Sequence, residues 1–222
     1  MPITFPLAMP TSGVGRQKFE IQRNDFVSPE SSGRIGGVTA GSPLWMATWT
    51  LGTVSEGRSD EWRAFVSLLR GSQRQFFGRD FARPRPRAYG SLVGMTRATG
   101  GAFDGSVAIW AIEGTGTALT LTGLPAGFLL SWGDYVSFRW TTGGLQRRAL
   151  VRAMENRQAD AYGSVSVTVE PSVPNVVPST AVAWLDQPDC LMRLITGQTD
   201  LGEIDRRRIA PAKISAIQDL LP

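Results

Sequence analysis

Hydrophobic and polar residues alternate along much of the chain, and this period of two is typical of β-strands. The clearest example is segment 43–55, where one side of a strand would carry four apolar residues: Trp45, Ala47, Trp49 and Leu51. Segment 14–25 alternates in the same way around Phe19 and Ile21. Both segments are therefore predicted to be strands with one apolar face.

The second half of the chain contains a series of short alternating runs separated by Gly, Pro or Asp turns. Such spacing is typical of a small antiparallel barrel or sandwich. A further strand is predicted at 190–195, where the chain is again apolar. The apolar positions of segment 214–221 fit a strand and a helix equally well. The predicted strands occupy 106–114, 117–125, 134–140, 147–154, 164–171, 180–185 and 190–195.

One segment follows the helical period. Its apolar residues at spacing i, i+3, i+4 and i+7 predict a short helix over about 60–70 with one buried stripe. Ser59 is the predicted N-cap and Gly71 the predicted terminating residue. The segment QRQFF at 73–77 is predicted to be the adjacent strand. The buried stripe of the helix consists of Trp62, Phe65, Val66 and Leu69.

Two segments fit neither period. Segment 28–43 is rich in Ser, Gly and Pro and is predicted to be a long loop, either a surface arm that orders against a neighbour or a loop without a partner. The run RPRPR at 83–87 is predicted to be a stiff, extended connector.

The composition indicates a folded protein with many turns. The chain has 222 residues, enough for one large domain or two small ones, with 25 Gly and 14 Pro. Its net charge of +4 comes from 23 Lys and Arg against 19 Asp and Glu, and Lys18 and Lys213 are the only lysines. This use of arginine suits bidentate contacts to carboxylates in protein interfaces, although codon bias explains it equally well.

Several kinds of site are excluded by residue content. The chain contains no histidine and a single cysteine, Cys190, so His-dependent triads, His-containing zinc sites and internal disulfides are excluded. The cysteine is predicted to be a small buried hydrophobe. The N-terminal segment lacks a basic region and is broken by prolines, so it is a poor signal peptide, and we expect folding in a cytoplasm with no membrane segment.

Catalysis is not indicated. The remaining option is a pair of carboxylates, and turn chemistry accounts for the most conspicuous ones, Asp134, Asp186 and Asp189. We therefore expect a protein that is not an enzyme, with no catalytic, cofactor-binding or metal-binding residues.

Segment 78–89 interleaves arginine with aromatic residues. This pattern fits nucleic-acid binding, docking on the carboxylates of a partner protein, or a solvated face. A second basic run, Arg206–Arg208, receives no assigned role. The candidate interface residues of the first run are Arg79, Phe81, Arg83, Arg85 and Arg87.

The tryptophans divide into two groups by spacing. Trp45, Trp49 and Trp62 have core spacing. The others are candidates for interface anchors; they are Trp110, Trp132, Trp140 and Trp184.

Seven stretches follow one another in a recognisable order over about 44–222. They are LWMATWTL, EWRAFVSLLRG, QRQFFGRDFARPRP, LLSWGDYVSFRW, RRALVRAMENRQADAYGSVSVTVEPSV, TAVAWLDQPDCLMRLI and ISAIQDLL. This order resembles that of distal tail (baseplate ring) proteins of long-tailed bacteriophages. It is a pattern of general features rather than a catalytic motif.

The resemblance implies a mainly β fold in two parts. A ring-forming (belt) domain, sandwich-like or barrel-like with one short helix, would comprise 1–88 and 188–222, and an inserted small antiparallel β domain would comprise 89–187. It also implies that segment 214–221 is a strand.

The same resemblance implies a structural protein of the virion. Copies of the chain, six by expectation, would form a ring at the tail tip between the tail tube protein and the hub or baseplate protein. The tape-measure protein and DNA would only pass through the lumen. The alternative is a tail-associated module that binds nucleic acid or cell-surface carbohydrate.

Overall fold

The protein is mainly β, as expected. The computed structural model describes residues 3–29, 33–52, 55–203 and 212–220. These ranges contain one α-helix, α1 (Glu56–Leu69). The strands, in chain order, are β1 Leu7–Ala8, β2 Val14–Gln22, β3 Asp25–Pro29, β4 Ile35–Thr39, β5 Leu44–Leu51, β6 Phe76–Arg79, β7 Ser106–Glu113, β8 Ala118–Thr122, β9 Leu129–Leu130, β10 Tyr135–Thr142, β11 Leu145–Ala153, β12 Arg157–Gln158, β13 Ser164–Glu170, β14 Val182–Trp184, β15 Asp189–Leu194 and β16 Lys213–Gln218.

A six-stranded sheet is built from both ends of the chain. Its order is β1-β6-β15-β16-β5-β2, antiparallel except for the short parallel pair β1 and β6. β16 lies between β15 and β5, so segment 214–221 forms a strand over most of its length. Local periodicity left this open, and pairing on both sides decides it.

The helix begins earlier than predicted. Ser55, with an extended backbone, is the N-cap, whereas Ser59 is buried inside the helix. The left-handed turn that ends the helix starts at Arg70 (φ 50°) and continues at Gly71 (φ 67°). This turn occupies the first part of the predicted strand at 73–77, so the strand is displaced to β6, Phe76–Arg79.

The apolar stripe of the helix packs on the sheet. Trp62, Phe65 and Leu69 are buried as predicted, and Val66 is half-buried against the same core. The Phe65 ring meets the Phe76 ring edge-on at 5.2 Å between centroids. Each of these burials contributes roughly 1.5–3 kcal/mol before entropy losses.

Behind this layer, Gly78 of β6 allows two large side chains to approach the sheet. A Cβ at this position would overlap Met192 Sδ and lie 3.0 Å from the Trp49 ring. Trp45 and Trp49 are fully buried in the same core, as their spacing predicted.

The single cysteine provides a simple test of this core. Cys190 is fully buried, and burial raises the pKa of its thiol. Because the thiolate is the reactive form, we expect no reaction with Ellman's reagent at about pH 8 in the native protein, and complete reaction in concentrated guanidinium. Rapid reaction of the native protein would contradict this burial.

The middle of the chain forms a closed six-stranded barrel. Its order is β10-β11-β13-β8-β7-β14, and β14 pairs back to β10. Its interior is filled by residues at alternate positions of the strands, including Leu119, Leu121, Phe138 and Val151, and by Phe128 from a loop. Closure leaves the barrel without free strand edges.

The strands of the sheet lie in 7–79 and 189–218, and those of the barrel in 106–184. The domain bounds themselves stay a prediction. No helix in the described ranges has the length and apolar content needed to cross a bilayer.

Candidate assembly surfaces

The sheet and the barrel share an aromatic junction. Trp45 Nε1 of β5 donates a hydrogen bond to the Leu150 carbonyl of β11 (2.7 Å), and the Trp45 ring meets the Tyr135 ring edge-on. The Tyr135 hydroxyl donates to Asp80 Oδ2 (3.0 Å), and burial together with Asp80 raises the pKa of Tyr135. The barrel therefore packs on the sheet through buried aromatic rings whose indole N–H and hydroxyl groups are hydrogen-bonded.

Asp189, the first residue of β15 in the sheet, also contacts the barrel, through a hydrogen bond and ion pairs. Its backbone carbonyl accepts a hydrogen bond from Ser137 Oγ (2.6 Å). Its carboxylate forms ion pairs with Arg148 and, at 3.4 Å, with Arg139. Its side chain is only 11% exposed, so this contact is largely shielded from water.

The surroundings of Asp189 contain more positive than negative charge. Arg85 Nε lies 2.7 Å from Asp186 Oδ1, and both aspartates attract Arg79. Burial lowers the pKa of Arg79 and Arg139 despite these aspartates. We call this group the arginine cluster; it comprises Arg79, Arg85, Arg139 and Arg148 with Asp186 and Asp189.

The contacts of Asp186 and Asp189 in the arginine cluster differ from the turn role expected for them. Turn chemistry was expected to account for Asp186 and Asp189, but their carboxylates pair with arginines. The pairing requires contact between segments far apart in sequence, which local patterns do not report.

The predicted interface residues are mostly engaged within the chain. Arg79 donates to Gln187 Oε1 and lies over the Phe81 ring, which is itself half-buried. Arg83 Nη1 donates to the Trp132 carbonyl (3.0 Å), and Arg85 pairs with Asp186. The segment is thus a connector bound to both the sheet and the barrel.

Arg87 differs from the other three arginines in that its side chain is exposed. Its backbone N–H donates to Asp134 Oδ1 (2.8 Å), and Asp134 Oδ2 accepts from Ser131 N–H (2.7 Å). Burial raises the pKa of Asp134 even though these two donors oppose the shift. Asp134 therefore has the turn role expected for it. The interface role of Arg79, Arg83, Arg85, Arg87 and Phe81 stays a prediction.

The segment predicted as a long loop is largely a β-hairpin. β3 and β4 pair antiparallel, with Phe26 opposite Val38 and Pro29 opposite Ile35. Four apolar side chains are exposed by 63–71%: Phe26, Val27, Ile35 and Val38. They occupy both faces of the hairpin, and neither hydrophobic core contains them. We call residues 25–39 the apolar hairpin; residues 30–32 lie outside the described ranges.

The apolar hairpin comes directly after β2 in the chain, and β2 is the last strand of the six-stranded sheet. β2 pairs with β5 on one side, and no strand in the described ranges pairs with its other side. A groove of about 190 Å³ lies over the β2–β5 pair, lined by Lys18, Ile21, Met46 and Thr48 among others. An exposed edge of nine residues is a place where another chain can add a strand.

A larger cleft of about 500 Å³ lies between β2 and the barrel. Gln17, Glu20, Arg152 and Trp132 line it, and Trp132 is 57% exposed. Trp140 and Trp184, also expected as candidate anchors, are half-buried, and the side chain of Trp110 lies outside what the structure describes.

Sequence reasoning missed the hairpin residues and Arg139 and Arg148. The alternation within the two barrel strands contained a signal for the arginines, because it places each of them on the outer face of its strand. Their position opposite each other comes from the register of β10 and β11. The apolar residues of 26–27 and 35–38, on either side of the Ser- and Gly-rich stretch of the sequence, were the corresponding signal for the hairpin.

The described residues contain no group of three or more Cys, Asp or Glu side chains placed to hold a metal ion. Arg206–Arg208 lie outside the described ranges. Comparison of the chain with known protein families and with curated proteins found no match.

Proposed function

We propose that this chain is a structural protein of a long-tailed bacteriophage that forms a ring at the distal end of the tail. The observation that carries the proposal is the apolar hairpin, whose four exposed side chains need a covering surface. An isolated two-stranded hairpin is marginally stable in water, so a partner that buries Phe26 and Val38 would stabilise it.

A closed ring needs two different surfaces on each copy, one meeting the other on the next copy. The apolar hairpin supplies the first surface. The open edge of β2 and the groove beside Met46 supply the second, since an edge strand accepts another strand by main-chain hydrogen bonds. The partner that fits the hairpin is thus a second copy of the chain.

The place of the ring follows from the segment order that resembles distal tail proteins. On this proposal six copies form the ring, one face meets the tail tube protein and the other meets the hub or baseplate protein. The tape-measure protein and DNA pass through the lumen without a specific site. The ring then resides at the tail tip of the virion, and the chain performs no catalysis.

The mass of the purified chain tests ring formation. Native mass spectrometry, alone and after addition of isolated tail tubes, is expected to give a species of six times 24.0 kDa. A monomer at every concentration, with and without tubes, would contradict the proposal.

Carbohydrate binding is a second candidate, favoured by the exposed Trp132 beside the cleft. An indole face with adjacent polar side chains such as Gln17 and Glu20 suits a sugar ring. We expect Trp132→Ala to weaken binding to host cell-wall polysaccharide about tenfold if this function is present. Tyr162→Ala, which removes an 82% exposed aromatic residue elsewhere, is the control. Equal binding by both variants would remove this candidate.

Nucleic-acid binding receives less support from the structure. A surface that binds single strands offers guanidinium groups to successive phosphates. Arg79, Arg83 and Arg85 instead contact groups of this chain.

A further inference from the structure

The arginine cluster contains more positive charge than its own aspartates neutralise. Four guanidinium groups share the carboxylates of Asp186 and Asp189. Arg139 and Arg148 also stand directly opposite each other on β10 and β11. Like charges in this position destabilise a sheet, so an additional anion near them would be stabilising.

Arg139 is held in the cluster by long contacts and has one buried nitrogen without a hydrogen-bond partner. Its Nη2 reaches Asp189 Oδ1 and the Gln187 carbonyl only at 3.4 Å each, near the limit of a hydrogen bond. Its Nε is buried without a hydrogen-bond partner. Burial also lowers the pKa of Arg139, although Asp189 opposes the shift. The side chain is still 26% exposed, so a ligand can reach it.

A surface groove of about 290 Å³ is lined in part by Arg139. Three arginines, two tryptophans, two neutral polar side chains and one valine line it. Of the arginines, Arg147 is buried, whereas Arg139 and Arg148 are partly exposed. Arg139 lies over the Trp184 ring, 4.4 Å from its centroid, which fixes the plane of the guanidinium. The lining residues that concern the ligand are Arg139, Thr141, Gln146, Arg148, Val182 and Trp184.

We propose that this groove binds a carboxylate side chain from an acidic, extended segment of another protein. A planar guanidinium held against an aromatic ring matches a carboxylate by two parallel hydrogen bonds. Thr141 and Gln146 add neutral hydrogen-bonding groups, and Val182 offers an apolar surface to the carbon atoms of the segment.

A carboxylate fits better than nucleic-acid phosphate because of how the charges are arranged. Nucleic-acid binding uses cations spread along a track, so that several phosphates are contacted at once. The cations of the cluster instead converge on two internal carboxylates, and the groove exposes mainly Arg139 and Arg148. One carboxylate with its neighbouring residues suits this geometry. The site uses only groups of this chain, so it does not depend on ring formation.

Fluorescence anisotropy with labelled hexaglutamate tests the proposal on the full chain. The decisive variant is Gln146→Glu, because Gln146 Oε1 lies 3.5 Å from Arg148 Nη2 and a carboxylate there would occupy the site. We expect binding about tenfold weaker than for the natural chain, the loss that follows when one charge-assisted contact is blocked. The same variant is expected to raise the Tm by about 2 °C, because it adds a partner for Arg148.

Two comparisons separate this effect from general charge. Gln22→Glu changes the net charge equally at an exposed position of β2, and we expect its binding within about twofold of the natural chain. Arg139→Gln is expected to weaken binding about tenfold, whereas Arg58→Gln, on the exposed face of α1, leaves it unchanged.

Three results would overturn the proposal. The first is that hexaglutamate does not bind the natural chain at low ionic strength. The second is that Gln146→Glu and Gln22→Glu weaken binding equally. The third is that oligothymidylate binds more tightly than hexaglutamate at the same ionic strength and is weakened by Gln146→Glu, which would assign the groove to phosphate.

Discussion

Replacement of Asp189 with asparagine is expected to lower the free energy of unfolding by about 2–3 kcal/mol. The change keeps the shape of the side chain but leaves Arg148 and Arg139 without their shared carboxylate. Breaking a buried ion pair costs about 3–5 kcal/mol, and partial exposure of these arginines reduces that figure. Urea unfolding followed by tryptophan fluorescence measures the difference.

Glu20→Gln is the matched control. Glu20 of β2 faces Arg152 of β11 across the same junction, but the two charges are 3.5 Å apart and the Glu20 side chain is 58% exposed. Loss of this ion pair in Glu20→Gln is expected to lower the free energy of unfolding by about 0.5 kcal/mol or less. If the two variants were equally stable, Asp189 would not hold the barrel on the sheet.

Replacement of both Phe26 and Val38 with serine is expected to abolish ring assembly without unfolding the chain. The two residues oppose each other on the apolar hairpin and are each 70% exposed. Burial of such side chains at an interface contributes roughly 1.5–3 kcal/mol each, so their loss weakens each contact by at least about 100-fold. Sedimentation or native mass spectrometry measures the assembly, and Tm measures the fold.

The control for this double variant is Val93→Ser. Val93 is 91% exposed on a loop outside the hairpin, and its loss is expected to leave assembly unchanged. Assembly of the hairpin variant at the concentration at which the natural chain assembles would show that the ring contact lies elsewhere.

Most strands could be predicted because their alternation reports burial on one face. β5 is the clearest case: Trp45, Ala47, Trp49 and Leu51 are buried, and the intervening residues are half-buried. β16 could not be decided locally, because Ile214, Ala216 and Ile217 satisfy both periods. Its two neighbours in the sheet, β15 and β5, are distant in sequence and provide the pairing that a local pattern lacks.

The apolar hairpin was missed because its composition suggested a loop. Gly36 and Gly37 lie within β4, and Pro29 ends β3, residues that are rare inside strands. The hairpin also buries no face against this chain, so no alternation between core and solvent marks it.

The arginine cluster shows a second limit of sequence reasoning. The arginine-rich connector was visible, and so was the preference of arginine for carboxylates. The partners of Arg85, Arg139 and Arg148 depend on how the barrel lies against the sheet. A single sequence pattern does not contain that arrangement.

We propose that copies of this chain form the ring at the distal end of a phage tail. Electron microscopy of phage particles labelled with an antibody to the chain tests it most directly. We predict label confined to the tip of the tail, at the junction of tube and hub, and no label at that junction in particles that carry the Phe26 and Val38 double variant. Label elsewhere on the particle, or none on intact natural particles, would contradict the account.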